Sequence, residues 1–197
     1  MIIVNTTDSL EKTLAAVRST GNKRIGFVPT MGALHAGHIS LVKQSVFEND
    51  YTVVSVFVNP TQFNNPVDLE KYPRDLDKDA DLLRISGCDL IFAPSKETIY
   101  TEEELQKPFE FDFGGLDQVM EGKFRPGHFN GVVQIVSKLF SLVKPQRAYF
   151  GEKDFQQLSI IHRMTDLMGF DIQIVDCPIV REASGLAMSS RNERLTP

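Results

Sequence analysis

Short apolar, β-branched runs alternate along the chain with longer stretches whose apolar residues recur every three or four positions. That alternation predicts parallel strands joined by helical crossovers. The runs are RIGFVPT (24–30), YTVVSVFV (51–58), DLIFAP (89–94), RAYFG (147–151) and DIQIVDCPIV (171–180). Leu10, Leu14 and Val17 mark one helical stripe, Val132, Val136, Leu139 and Val143 another, and Leu158, Ile161, Thr165 and Met168 a third. Asp8 followed by Glu11 resembles a capping box ahead of the first stripe. GHISLVKQSVFEND and DLDKDADLLRISG supply two more helices, so five strands and about five helices are expected in a doubly wound, Rossmann-like α/β sheet. The segment from Ile99 to His128 breaks the alternation and reads as an insertion over the sheet edge or mouth.

Composition narrows the function classes. At 197 residues, 42% of them hydrophobic, the chain is long enough for one well-buried domain, and the NERLTP tail is too short to form another. A formal charge of −5 argues against nucleic acid or an anionic membrane as partner while leaving room for a local anion site. Cys88 and Cys177 lie far apart without metal-ligand spacing, as expected of two buried thiols in a reducing compartment. MIIVN runs straight into a polar helix, with no signal-peptide or membrane-span pattern, so a cytoplasmic location is expected.

In wound sheets ligands bind where strand carboxyl ends lead into helices, which directs attention to four loops. The first, PTMGALHAGH, has Gly32 and Gly37 for close backbone approach and places His35 and His38 on one face of a helix start. An imidazole there tends to stay neutral and can donate one N–H to a phosphate oxygen. No third ligand at local spacing supports zinc. In FVNPTQF, Asn59 and Gln62 are uncharged amides beyond an apolar strand, either a ligand contact or a turn built on Asn59-Pro60. In GEKDFQQL, Lys153 is a compact cation, and Asp154 and Gln157 suit hydroxyl groups, unless the segment is simply a solvated helix start. MSSRN adds the hydroxyls of Ser189 and Ser190 and the Arg191 guanidinium. KFRPGHFNGV either sets Arg125 or His128 against the site or forms a Pro-Gly turn. The acidic run DLEKYPRDLDKDAD reads first as an exposed helical face, with Asp77 and Asp79 as weak magnesium candidates.

Together PTMGALHAGH, VFVNPTQF, YPRDLDKD, RPGHFNGV, FGEKDFQQL and MSSRN closely resemble the pantothenate synthetase family, standing in its order over nearly the whole chain. His-x-Gly-His is shared with class I aminoacyl-tRNA synthetases and nucleotidylyltransferases, whereas FGEKDFQQL with RPGHFNGV is specific. The resemblance implies an ATP-dependent ligase. Pantoate attacks the α-phosphate of ATP to give pantoyl adenylate and pyrophosphate, and β-alanine then displaces AMP. Carried over by position, His35, His38, Lys153, Ser189, Ser190 and Arg191 would contact phosphates, with His38 in the position of the proton donor. Met31, Gly32, Gly151, Glu152, Asp154, Val180 and Met188 would complete the ATP site; Gln62 and Gln157 would clamp pantoate with Asn59 assisting, and Gln62 would also lie near β-alanine. Magnesium would be held chiefly by the ATP phosphates, because Lys78 stands where relatives often carry an acid.

The family also implies a homodimer, and a C-terminal lid domain beyond MSSRN that the 197 residues do not include, which would make them one ATP- and pantoate-binding domain. Two other functions compete. A nucleotidylyltransferase would use the same histidines but transfer AMP to a phosphate, against which the Gln62 and Gln157 pair argues; a nucleotide-binding module would keep the fold without turnover.

Overall fold

The computed structural model describes residues 1–107 and 109–192; Pro108 and the NERLTP tail from Glu193 onward lie outside the described residues. The elements in order are β1 (Ile2–Val4), α1 (Thr7–Ser19), β2 (Ile25–Thr30), α2 (Ala36–Glu48), β3 (Tyr51–Val56), α3 (Pro66–Glu70), α4 (Leu76–Ile85) and β4 (Leu90–Phe92). There follow α5 (Lys96–Ile99), α6 (Glu102–Gln106), α7 (Met120–Phe124), α8 (His128–Val143), β5 (Arg147–Gly151), α9 (Phe155–Leu167) and β6 (Gln173–Cys177).

The strands form one wholly parallel sheet in the order β1-β4-β3-β2-β5-β6. Apart from β1 this is doubly wound topology, and the strand order reverses between β2 and β5. Both faces are covered, which is why β2 and β3 read as continuous apolar runs. Leu10 and Leu14 of α1, Val132, Val136 and Phe140 of α8 and Ile160, Ile161 and Met164 of α9 pack with Phe27, Val53 and Phe92 on one face. Val42 of α2 and Ala80 and Leu83 of α4 pack with Val28, Val54 and Ile91 on the other. Cys88 and Cys177 are both buried and free.

Three expectations need correcting. The sheet has six strands, because Ile2–Val4 pairs with β4 in the register Ile2↔Leu90 to Val4↔Phe92. At the sheet edge Ile2 remains 50% and Ile3 42% exposed, so the short run lacks the signature of a buried strand. The box that starts α1 is Thr6 with Ser9, not Asp8 with Glu11; the Thr6 hydroxyl accepts from the Ser9 N–H at 3.2 Å. Met168 caps α9 instead of continuing its buried stripe. The irregular segment expected as an insertion holds the short helices α6 and α7 and is tied to α8 and α9. Gln156 donates to the carbonyls of Leu116 and Val119, Arg163 to that of Asp112, and Asn130 to that of Phe109.

Pairing of β2 with β5 is confined to Gly26↔Arg147 and Phe27↔Ala148, whereas β2 stays paired with β3 through Thr30. Beyond Phe27 the two strands part. Pro29 stands at that point and has no N–H to offer a neighbouring strand. The crevice that opens there contains the cavity described next.

Candidate active site

The turn after β2 is shaped by two successive left-handed residues, Gly32 (φ +80°) and Ala33 (φ +51°). A buried carboxylate holds them. Asp79 of α4, 2% exposed, accepts from the Ala33 N–H at 3.0 Å and the Leu34 N–H at 2.8 Å. A Cβ at position 32 would sit 2.8 Å from Asp79 Oδ2, so glycine serves both conformation and space there. With both oxygens accepting backbone N–H groups and the side chain buried, Asp79 acts as a structural clamp on this turn. Asp77 is exposed on α4, and no cluster of three His, Cys, Asp or Glu able to hold a metal exists among the described residues.

The clamp delivers His35 to the N-cap of α2. His35 Nδ1 accepts from the Gly37 N–H at 3.1 Å, and His38 Nδ1 lies 3.4 Å from the His35 backbone nitrogen, a reciprocal capping box made of two imidazoles. A nitrogen that accepts cannot carry the proton, so each neutral ring bears its proton on Nε2. The rings lie 4.1 Å apart between centroids. Burial, then the neighbouring His35 ring and the Lys153 ammonium, lower the His38 pKa to about 3; burial and Lys153 also lower that of His35. The pair therefore offers uncharged N–H donors at neutral pH.

Opposite, the turn after β3 presents Gln62. Its backbone carbonyl lies 2.7 Å from His128 Nδ1 and accepts from Arg125 at 3.3 Å, while its Nε2 faces Met31 Sδ at 2.9 Å. Burial lowers the His128 pKa, with Arg125 adding to the effect and the Gln62 carbonyl opposing it. Across the parting of the strands, Gly151 leads into Lys153, which pairs with Asp154 at 3.0 Å, and into Gln157 on the first turn of α9. The last wall is the loop 178–192, folded back on itself by the Arg181↔Ala187 bridge and the Met188 N–H to the Val180 carbonyl at 3.0 Å. Arg191 reaches Asp68 of α3 at 3.2 Å.

These elements enclose a cavity of about 200 Å³ lined by Met31, His35, His38, Gln62, Gly151, Lys153, Asp154, Gln157, Val180, Met188, Ser189, Ser190 and Arg191. Arg125 and His128 line it too, so of the two readings of RPGH the site reading holds together with the helix start. Besides the exposed Asp77, four expected residues lie elsewhere. Gly32 and Asp79 face a second cleft of about 490 Å³ across the Met31 turn. Glu152 is exposed on the turn before α9 and absent from the lining. Asn59, 1% exposed, is also absent from it because its amide is consumed by protein partners. Glu121 and Tyr149 line the cavity without having been anticipated, since neither sits in a recognisable motif, and Tyr72, the first residue of YPRDLDKD, lines it although that motif suggested no role for it.

Residues 2–197 match the family model described as pantoate-beta-alanine ligase. The chain is 61% identical to the pantothenate synthetase of Bacteroides fragilis and 60% identical to that of Bacteroides thetaiotaomicron, covering 100% of itself and 68% of each relative. Among solved structures it superposes on the pantothenate synthetase of Thermus thermophilus with a TM-score of 0.92 at 48% identity, covering 100% of this chain and 68% of that one. It superposes with a TM-score of 0.90 at 43% identity on the pantoate-beta-alanine ligase of Francisella tularensis, complexed with beta-gamma ATP and beta-alanine, covering 100% and 74% respectively. A Rossmann-like sheet with a histidine-capped helix and two amides across its switch-point cavity thus agrees with the sequence matches, and the chain belongs to the pantoate–β-alanine ligase family of ATP-dependent ligases.

Proposed function

We propose that residues 1–197 act as one ATP- and pantoate-binding domain whose switch-point cavity hosts both half-reactions of pantothenate formation. The observation that carries this reading is the juxtaposition of two neutral imidazoles with fixed Nε2 protons, the Lys153 and Arg191 cations, and the Gln62 and Gln157 amides in one cavity. The first two groups suit polyphosphate. Neutral amides suit a small hydroxy acid, and they offer no extra cation for a second phosphorylated substrate.

In this reading a pantoate carboxylate oxygen attacks the α-phosphorus of ATP. The bond to the bridging oxygen breaks and pyrophosphate leaves with that electron pair. His35 and His38 donate to phosphate oxygens while Lys153 and Arg191 balance the growing charge, an electrostatic role that requires no protein nucleophile. Ser189 and Ser190 add hydroxyl donors, and Met31, Gly151, Asp154, Val180 and Met188 line the nucleoside. Gln62 and Gln157 hold pantoate. The β-alanine amine then attacks the acyl carbon, AMP departs, and the amine gives up its proton. Mg²⁺ in this reading enters as part of the ATP complex, held chiefly by the phosphates. The family resemblance supports a homodimer, and the two free buried thiols agree with a cytoplasmic location.

ATP–pyrophosphate exchange tests the reading. Exchange should require pantoate and be indifferent to β-alanine. Exchange that needs β-alanine, or that proceeds with nicotinamide mononucleotide in place of pantoate, overturns it.

A further inference from the structure

The amide of Gln62 is held from behind by a chain of hydrogen bonds that never enters the cavity. The chain starts at the Gly131 carbonyl of α8, an acceptor only. Asn59 Nδ2 approaches it at 3.0 Å, which forces the nitrogen of the Asn59 amide to that side. The same Nδ2 lies 3.1 Å from Gln62, and a donor there requires the Gln62 oxygen, not its nitrogen, to face Asn59. Asn59 Oδ1 in turn accepts from the Tyr100 hydroxyl at 2.8 Å and the Thr61 hydroxyl at 3.1 Å. All four hydrogen-bonding positions of the Asn59 amide are filled. Burial pushes the Tyr100 pKa up to about 12, so the hydroxyl keeps its proton and donates.

Gln62 is left with its NH₂ end toward the cavity, touching only the Met31 sulfur, a weak acceptor that a ligand oxygen can replace. The backbone arrangement is equally constrained. A Cβ at Gly131 would fall 2.4 Å from the Thr61 carbonyl oxygen and 2.6 Å from the Gln62 nitrogen, so only glycine lets α8 lie this close to the Gln62 turn.

We propose that Tyr100, which does not line the cavity, is a positioning residue for pantoate recognition: through Asn59 it fixes Gln62 as a donor toward an oxygen of the hydroxy acid. On this view Asn59 is a relay and not a ligand contact. The inference rests on the reading that Gln62 binds pantoate.

The test is steady-state pantoate-dependent ATP–pyrophosphate exchange with Tyr100→Phe, Gln62→Ala and the double variant. Phe keeps the ring that packs against Phe57 and under Lys138 and removes only the hydroxyl. Losing one buried hydrogen bond in the relay should raise the pantoate KM about fivefold, with the ATP KM and kcat within about twofold of the parent. In the Gln62→Ala background Tyr100→Phe should add no further increase, because the group it positions is gone. Thr61→Val, which removes the other donor to Asn59 Oδ1, should reproduce the pantoate-selective effect and serves if Tyr100→Phe folds poorly. An unchanged pantoate KM in Tyr100→Phe and Thr61→Val, where Gln62→Ala raises it, overturns the relay and leaves the binding reading standing. Equal losses for pantoate and ATP, or additive losses in the double variant, also overturn the relay. An unchanged KM in Gln62→Ala overturns the binding reading and the relay with it.

Discussion

The neutral His38 should make the native protein acid-sensitive by a calculable amount. Its pKa falls from the ordinary 6.5 to about 3, first through burial and then through His35 and Lys153. Unfolding restores the ordinary value, so between these limits the unfolded chain binds a proton that the native chain does not. Stability therefore rises with pH across the window and is lost as pH falls from 6.5 toward about 3. Between about pH 7.5 and about pH 5 the unfolded imidazole gains roughly 1.5 pK units of protonation free energy, about 2 kcal/mol. Other groups titrate over the same range, so the quantity to measure is a difference. In His38→Asn, the amide oxygen can take the place of Nδ1 as acceptor for the His35 N–H while removing the titration. Urea unfolding at the two pH values should show the parent losing about 2 kcal/mol more than His38→Asn, a midpoint difference of about 1 M for a typical urea dependence. Equal pH dependence in the two proteins would refute the claim that His38 is held neutral.

Three further outcomes are expected. His38→Ala should slow adenylation in single-turnover quench experiments by about a hundredfold or more, by analogy with a lost oxyanion donor worth about 3 kcal/mol, and a variant within about threefold of the parent contradicts the role. Asp79→Ala strands the buried N–H groups of Ala33 and Leu34 and should lower unfolding free energy by about 3 kcal/mol or more, with Asp79→Asn losing less because one acceptor remains; denaturant titration measures both. Asp77→Asn should leave the Mg²⁺ concentration for half-maximal exchange within about twofold of the parent if the ion travels on ATP, and a large increase would assign the metal to the protein.

What the sequence revealed follows from which signals are local. β2, β3 and β5 are buried on both faces and read as unbroken apolar runs, and α8 is buried almost throughout, so its stripe is plain. The edge strand Ile2–Val4 is half in water and too short to stand out. The histidines, Lys153, Gln62 and Gln157 stand in quotable motifs, and the fold brings them to one cavity. Asp79 and Asn59 mislead for one shared reason. A buried polar side chain whose partners are backbone groups distant in sequence looks the same in one dimension as a polar side chain awaiting a ligand. For Asp79 those partners are the N–H groups of Ala33 and Leu34; for Asn59 the carbonyl of Gly131 is one of them. Tyr149 carries no motif, and Tyr72 stands in YPRDLDKD without a readable chemistry of its own; both reach the cavity through the packing of β5 and of the stretch after α3.

The parting of β2 from β5 also bears on how the site comes into being during folding. The walls on one side come from residues before position 73 and those on the other from residues after position 120, and the two strands that carry them share only a two-pair seam although they lie far apart in the chain. Loop closure of that length is among the slower events in forming a parallel sheet, because its entropy is lost before the distant contacts form. A nascent chain emerging through β4 contains the residues of the imidazole pair and the Gln62 turn, yet lacks the opposing wall and the Arg125, His128 and Gly131 groups that hold that turn. Binding competence requires the central seam to be closed, so substrate ligands that bind only the completed sheet stabilise it by mass action.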